Sequence, residues 1–195
     1  MRNSTIDYYN KNAQTYFSNT VRLDVHQLYQ PFLRHLHAGA KILDAGCGSG
    51  RDSFFFKSKG FKVTAFDASE EMIKLSSKLL EQDVLLMHFE DLNLTEQYNG
   101  IWACASLIHV QRSELVPAIA RIAKHLKPGG IFYMSFKYGN KEYWKDGRYF
   151  NCLDEETFKS LIEQIPELKV DQVFISADVM DRTNERWLNA YLVKA

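Results

Sequence analysis

The sequence has no excess of charge of either sign: across 195 residues, 24 lysines and arginines stand against 24 acids. Without a bulk positive field, neither nucleic acid nor an anionic membrane is an expected partner. Cysteine is scarce. The three residues, Cys47, Cys104 and Cys152, are odd in number and show no C-x-x-C spacing. That pattern argues against a disulfide framework and a structural zinc site, and for a reducing compartment, the cytoplasm. No apolar run approaches the roughly 20 residues of a membrane span. The opening Met1-Arg2-Asn3-Ser4 leads into polar sequence, not the apolar stretch of a secretory signal. Low-complexity tracts and repeats are missing too. What remains is ordinary globular composition, 46% hydrophobic and 25% charged, at a length that suits one domain, 1–195.

The most informative stretch is Lys41-Ile42-Leu43-Asp44-Ala45-Gly46-Cys47-Gly48-Ser49-Gly50. It reads as a buried strand, a glycine turn and, from Arg51, a helix, which is the layout of a nucleotide-type cofactor loop. The glycines are spaced G-x-G-x-G, unlike the G-x-G-x-x-G of dinucleotide loops, and Asp44 stands just ahead of them. A carboxylate there would repel a pyrophosphate at the helix N-terminus. S-Adenosylmethionine (AdoMet) has no phosphate and carries a cationic amino group and sulfonium, so the loop leans to AdoMet. Gly46, Gly48 and Gly50 then allow the backbone close to the cofactor; a tight structural turn is the alternative. Asp67, at the tip of the next strand, can accept hydrogen bonds from both ribose hydroxyls. Capping the following helix is its other option, though Ser69 already suits that task. Arg51 opposes the helix dipole and needs an offset from Asp52, Asp67 or a cofactor carboxylate.

Around this loop the pattern alternates. Helices are predicted at 4–18 and 22–36, the second interrupted by Pro31. Strands at 41–45, 61–66, 84–87, 100–105 and 131–137 are interleaved with helices at 51–59, from Ser69 onward and at 113–127. Strand and helix alternating at this pitch means a parallel sheet with helices on both faces. After a helix at 154–165, two extended runs, 168–179 and 187–193, flank the turn-like Asp181-Arg182-Thr183-Asn184 and read as an antiparallel hairpin.

The order of Leu43-Asp44-Ala45-Gly46-Cys47-Gly48-Ser49-Gly50, Phe66-Asp67-Ala68-Ser69, Phe89-Glu90-Asp91-Leu92, Ile101-Trp102-Ala103-Cys104-Ala105-Ser106 and Leu126-Lys127-Pro128-Gly129-Gly130 resembles the class I AdoMet-dependent methyltransferases. Within them the chain looks most like small bacterial members labelled tellurite-resistance-related. The resemblance implies a Rossmann-like α/β fold, a three-layer αβα sandwich. Its seven-stranded, mostly parallel sheet carries an antiparallel C-terminal strand beside the fifth. It implies a cofactor-binding core at 40–137, a helical lid at 1–37, and a substrate-side segment with the closing hairpin at 138–195.

The site that follows from these readings is specific. Cofactor contacts fall on Tyr16, Asp44, Gly46, Cys47, Gly48, Gly50, Arg51, Asp67, Ala68, Met72, Phe89, Glu90, Asp91 and Ala105. Tyr16 can also be plain packing, as can Met72. Methyl transfer is an in-line displacement in which the enzyme mainly positions and desolvates. If a base is needed, His109 is the titratable residue in place; otherwise it packs under the substrate loop. Tyr138, Arg148 and Tyr149 are expected on the acceptor side, holding an anion or planar ligand unless they form a solvated loop. No metal is expected. No asparagine-proline signature follows the fourth strand, which speaks against methylation of nucleic-acid bases. The expected activity is methyl transfer from AdoMet, leaving S-adenosylhomocysteine, to a small molecule by a monomer or homodimer. An AdoMet-binding module without catalysis and a nicotinamide-dependent oxidoreductase are the rivals.

Overall fold

The computed structural model describes residues 2–180, 182 and 184–195. Two helices lead, α1 (Arg2–Thr20) and α2 (His26–Leu33), followed by β1 (Lys41–Ala45), α3 (Arg51–Ser58), β2 (Lys62–Asp67), α4 (Glu70–Leu80), β3 (Leu85–Leu86) and β4 (Tyr98–Ala103). The second half holds α5 (Arg112–Ala123), β5 (Leu126–Lys137), β6 (Glu142–Lys145), β7 (Arg148–Asn151), α6 (Glu155–Ile162), β8 (Leu168–Ala177) and β9 (Arg186–Lys194). Seven strands form one sheet in the order β3-β2-β1-β4-β5-β9-β8. The pairs among β1 to β5 are parallel, and β9 runs antiparallel between β5 and β8. This is the α/β architecture expected from the sequence, antiparallel C-terminal strand included. Asp181 and Thr183, part of the expected turn, lie outside the described residues.

The central strands are buried on both faces, and their side chains alternate between two cores. Leu43, Ile101, Phe132 and Met134 join Leu115, Ile119 and Ile122 of α5 and Phe158 and Leu161 of α6. Ile42, Trp102, Ile131 and Tyr133 face the other way, onto Leu28, Tyr29 and Phe32 of α2 and Phe56 of α3. Trp102 stacks on Tyr133 with ring centroids 3.9 Å apart. Its indole N–H reaches Asp52 at 2.8 Å.

Helix α4 starts as its sequence dictates: Ser69 is extended, its hydroxyl accepts the Met72 N–H, and Glu70 and Glu71 occupy the first turn. One pair of elements was not expected. β6 and β7 form a separate two-stranded hairpin, with Trp144 opposite Tyr149 and Lys145 opposite Arg148. Asp146 and Gly147 turn it, both at positive φ (51° and 77°), and an Asp-Gly pair is a strong short-range hairpin signal.

Candidate active site

A cavity of about 500 Å³ opens at the C-terminal ends of the parallel strands, where β1 and β4 diverge. Ligands of open α/β sheets bind at that switch point. Helix α1 covers it. Asn10 accepts the Ser69 hydroxyl at 2.7 Å, Tyr9 meets His109 at 2.8 Å, and Thr5 accepts the Tyr149 N–H at 3.1 Å. One helix therefore touches α4, the segment after β4 and the β6–β7 hairpin.

The glycine turn is tight for a visible reason. Gly46 has φ +78°, and a Cβ there would lie 2.5 Å from the Ser106 Cβ. The Gly46 and Cys47 N–H groups both reach the Phe66 carbonyl at 3.0 Å, binding the turn to the end of β2. At Gly48 the nearest atom to an added Cβ is a ring carbon of Tyr16, 3.7 Å away. Asp67 closes this half of the site. Its two oxygens accept the Gly48 N–H at 2.8 Å and the Ser69 N–H at 2.9 Å, one each. Each carboxylate oxygen keeps acceptor capacity for a further partner. Burial raises its pKa despite those bonds.

Two further carboxylates lie deeper and take opposite states. Asp52 is buried and accepts from Arg51 and the Tyr29 hydroxyl at 2.6 Å and from Trp102 at 2.8 Å. Burial opposes its charge, but Arg51 and these donors outweigh it and lower its pKa. Asp44 is also buried and accepts only the Ser53 hydroxyl among the bonds described, at 2.6 Å. Burial, with the charge of Asp52, pushes Asp44 up to about 8.

At the far end, the His109 ring nitrogens lie 2.8 Å from the Tyr9 hydroxyl and 2.6 Å from the Tyr149 carbonyl. A carbonyl cannot donate, so Nδ1 carries the proton and Nε2 accepts from Tyr9. Burial drives the His109 pKa down to about 4, with Arg148 and Lys137 adding to the effect. The imidazole is neutral at physiological pH. Ala105, at the tip of β4, sits at φ +53° with its N–H on the Ser135 hydroxyl at 2.9 Å. A non-glycine residue in that region is a strained position of the kind that clusters at functional sites.

Of the residues singled out from the sequence, Tyr16, Gly46, Cys47, Gly48, Arg51, Asp67, Ala68, Met72, Phe89, Glu90, Ala105, His109, Arg148 and Tyr149 line this cavity. Asp44, Gly50, Asp91 and Tyr138 do not. Asp44 is turned to Ser53 at the base of α3, and an added Cβ at Gly50 would pack 3.0 Å from Ser76. Asp91 is exposed on the outer side of the chain. Tyr138 lies under the Arg186 guanidinium at 4.4 Å and bonds Glu155, outside the cavity. Sequence reasoning missed Tyr9, which precedes Tyr16 by two helical turns and shares its face. It also missed Ser135 and Asn189, polar residues alternating with apolar ones on paired strands β5 and β9. No group of three or more potential metal-ligating side chains occurs among the described residues, and none of their helices is long and apolar enough to cross a membrane.

Comparison with known proteins fits this geometry. Residues 42–130 match the model of a methyltransferase domain. An uncharacterized methyltransferase of Staphylococcus carnosus is 24% identical over 177 residues, 85% of either chain. The probable S-adenosyl-L-methionine-dependent methyltransferase TehB of Haemophilus influenzae is 26% identical over 129 residues, 64% of this chain and 42% of that protein. Against most of the curated relatives the chain spans less than half their length. The Burkholderia thailandensis 1,6-didemethyltoxoflavin-N1-methyltransferase was solved with 1,6-didemethyltoxoflavin and S-adenosylhomocysteine bound. It superposes with a TM-score of 0.80 at 19% identity, covering 100% of this chain and 87% of that one.

Proposed function

The chain has the class I AdoMet-dependent methyltransferase fold, with a methyltransferase domain across residues 42–130, and from that premise we propose that it transfers a methyl group from AdoMet to a small-molecule acceptor. The observation that carries this is Asp67. The loop and helix N–H groups around it fix its carboxylate on the cavity wall, and its two oxygens keep acceptor capacity for a ribose diol.

The cofactor fits the residues present. Gly48 leaves open the space a side chain would fill, Asp67 takes the ribose, and Phe89 and Met72 offer apolar surface to an adenine. Arg51 is the cation in reach of a ligand carboxylate while Asp52 holds it in place. Cys47 and Cys104 are small, half-buried wall residues: desolvation raises both thiols, Cys104 to about 12, so neither is a thiolate nucleophile. Bound AdoMet supplies an electrophilic methyl on a sulfonium. The protein's share is to place the acceptor in line and exclude water. His109 is the candidate base, acting through the Nε2 that faces Tyr9. Its weak basicity suits an acceptor whose proton is readily lost.

Two finer placements belong to the same proposal. The likeness to TehB supports a position among tellurite-resistance-related members without naming a substrate. Three free cysteines fit a reducing cytoplasm, and the balanced charge favours small acceptors over nucleic acid, handled by a monomer or homodimer.

The test is calorimetry with S-adenosylhomocysteine, followed by methyl transfer to a metabolite panel. Binding is expected, and Asp67→Asn should weaken it by about 1–3 kcal/mol. Stabilisation by NAD instead of S-adenosylhomocysteine would sink the proposal. Binding with no transfer to any acceptor would favour a cofactor-binding module.

A further inference from the structure

Resting on the cavity being a methyl-transfer site, we infer that the acceptor carries a carboxylate and that Arg148 binds it through its guanidinium. Three other cations on the cavity wall have close carboxylate partners. Arg51 is 2.6 Å from Asp52, Lys137 is 2.7 Å from Glu185, and Arg182 is 2.6 Å from Asp178. Arg148 differs. The carboxylate nearest it, on Asp146, is 3.8 Å from Nη2, beyond hydrogen-bond range, and stands 62% exposed at the hairpin tip. Water screens such a pair, so it neutralises little.

The Arg148 side chain itself is only 17% exposed. Its guanidinium packs on the ring of Tyr8 at 4.1 Å and faces that of Phe150 at 5.2 Å. Ring packing fixes the plane, and the Tyr9 hydroxyl lies within reach of one of its N–H groups. The Nε is buried and has no hydrogen-bond partner among the described residues. Burying most of a cation with so little compensating charge is costly, and a structure keeps it where a ligand supplies the anion. A guanidinium offers parallel N–H groups whose spacing matches the two oxygens of a carboxylate.

The surroundings agree with an anion. Lys137 lies 4.9 Å from the Phe150 ring, on the same side of the cavity. Tyr9 and Tyr149 complete an aromatic wall that suits a flat acid.

The experiment uses the full chain saturated with S-adenosylhomocysteine. Benzoate, 4-hydroxybenzoate and 2-naphthoate are titrated by calorimetry against their primary amides. At least one acid should bind about tenfold or more tightly than its amide, the margin of a charge-assisted bidentate pair. Arg148→Met should abolish that preference while S-adenosylhomocysteine affinity, which reports an intact fold, stays within about threefold. Arg148→Lys, which keeps the charge and loses the fork, should fall between them. If no acid exceeds its amide on the wild-type chain, or if the preference survives in Arg148→Met, the inference is overturned. The wild-type comparison decides even if a variant misfolds. Failure of the wild type to bind S-adenosylhomocysteine is a separate result and sinks the cofactor assignment instead.

Discussion

At the residue scale, burial decides what the ionisable groups can do. Asp67 is legible from sequence because its place at a strand tip past a glycine turn is itself a pattern. Asp44 reads from sequence as a carboxylate for a cation, and that reading takes its charge as given. In the fold it lies beside Asp52 out of water, and only one of the two stays ionised, the one that Arg51, Tyr29 and Trp102 serve. Arg51 is next to Asp52 in sequence, but Tyr29 and Trp102 stand 23 and 50 residues away, so the outcome of that competition leaves little local trace. His109 carries a pH signature. Its folded pKa of about 4 lies below the ordinary value of 6.5, so between those values the unfolded chain holds more protons. Its contribution to stability is therefore full above about pH 6.5 and falls as pH drops toward 4. A tenfold difference in proton affinity between the folded and unfolded chain corresponds to about 1.4 kcal/mol, so the wild type should lose a few kcal/mol more than His109→Gln between pH 7 and about 4.5. Urea midpoints of both proteins at the two pH values measure this. Equal losses would show that His109 takes up its proton as readily in the fold as in the unfolded chain.

At the element scale, the alternating core strands and the helices between them are readable because period two and period 3.6 are local. The first and third helices expected, at 4–18 and 51–59, match α1 and α3 to within a few residues. The β6–β7 hairpin escapes such a reading, although Asp146-Gly147 announces it. Its strands are only four residues each, too short for a clear alternation of apolar and polar side chains. Its pairing is what turns Arg148 inward. The meeting of α2 with the sheet is equally beyond local pattern. Gly100 on β4 leaves room for Phe32, and an alanine Cβ there would lie 2.6 Å from the tip of that ring. Trp102 and Phe56, 5.0 and 5.6 Å from Phe32, leave the ring no space to retreat. Gly100→Ala should cost about 1–3 kcal/mol through overpacking. Equilibrium unfolding in urea reads it, and an unchanged midpoint would mean that α2 shifts freely.

At the scale of the whole molecule, sheet order matters more than element count. β9 pairs with β5 on one side, from Ile131 opposite Val193 to Lys137 opposite Trp187, and with β8 on the other. It buries Leu188, Ala190, Tyr191 and Leu192. Tyr191 also donates to the Leu28 carbonyl at 2.7 Å, tying the strand to α2. A chain cut after Ala177 would leave β8 without a neighbour and β5 with a bare edge. Its thermal transition, followed by near-UV circular dichroism, should lose cooperativity, whereas a retained sharp melt would show β9 to be dispensable.

The same strand has a meaning for the order of synthesis. Both neighbours of β9 leave the ribosome before it does. β5 is finished roughly 60 residues earlier, which at about 5–20 residues per second is several seconds of translation. Throughout that interval β5 offers an unpaired strand edge, joined near its end by the unpaired edge of β8. The segment that completes this protein's sheet is thus also the one whose delay sets how long the young chain depends on shelter.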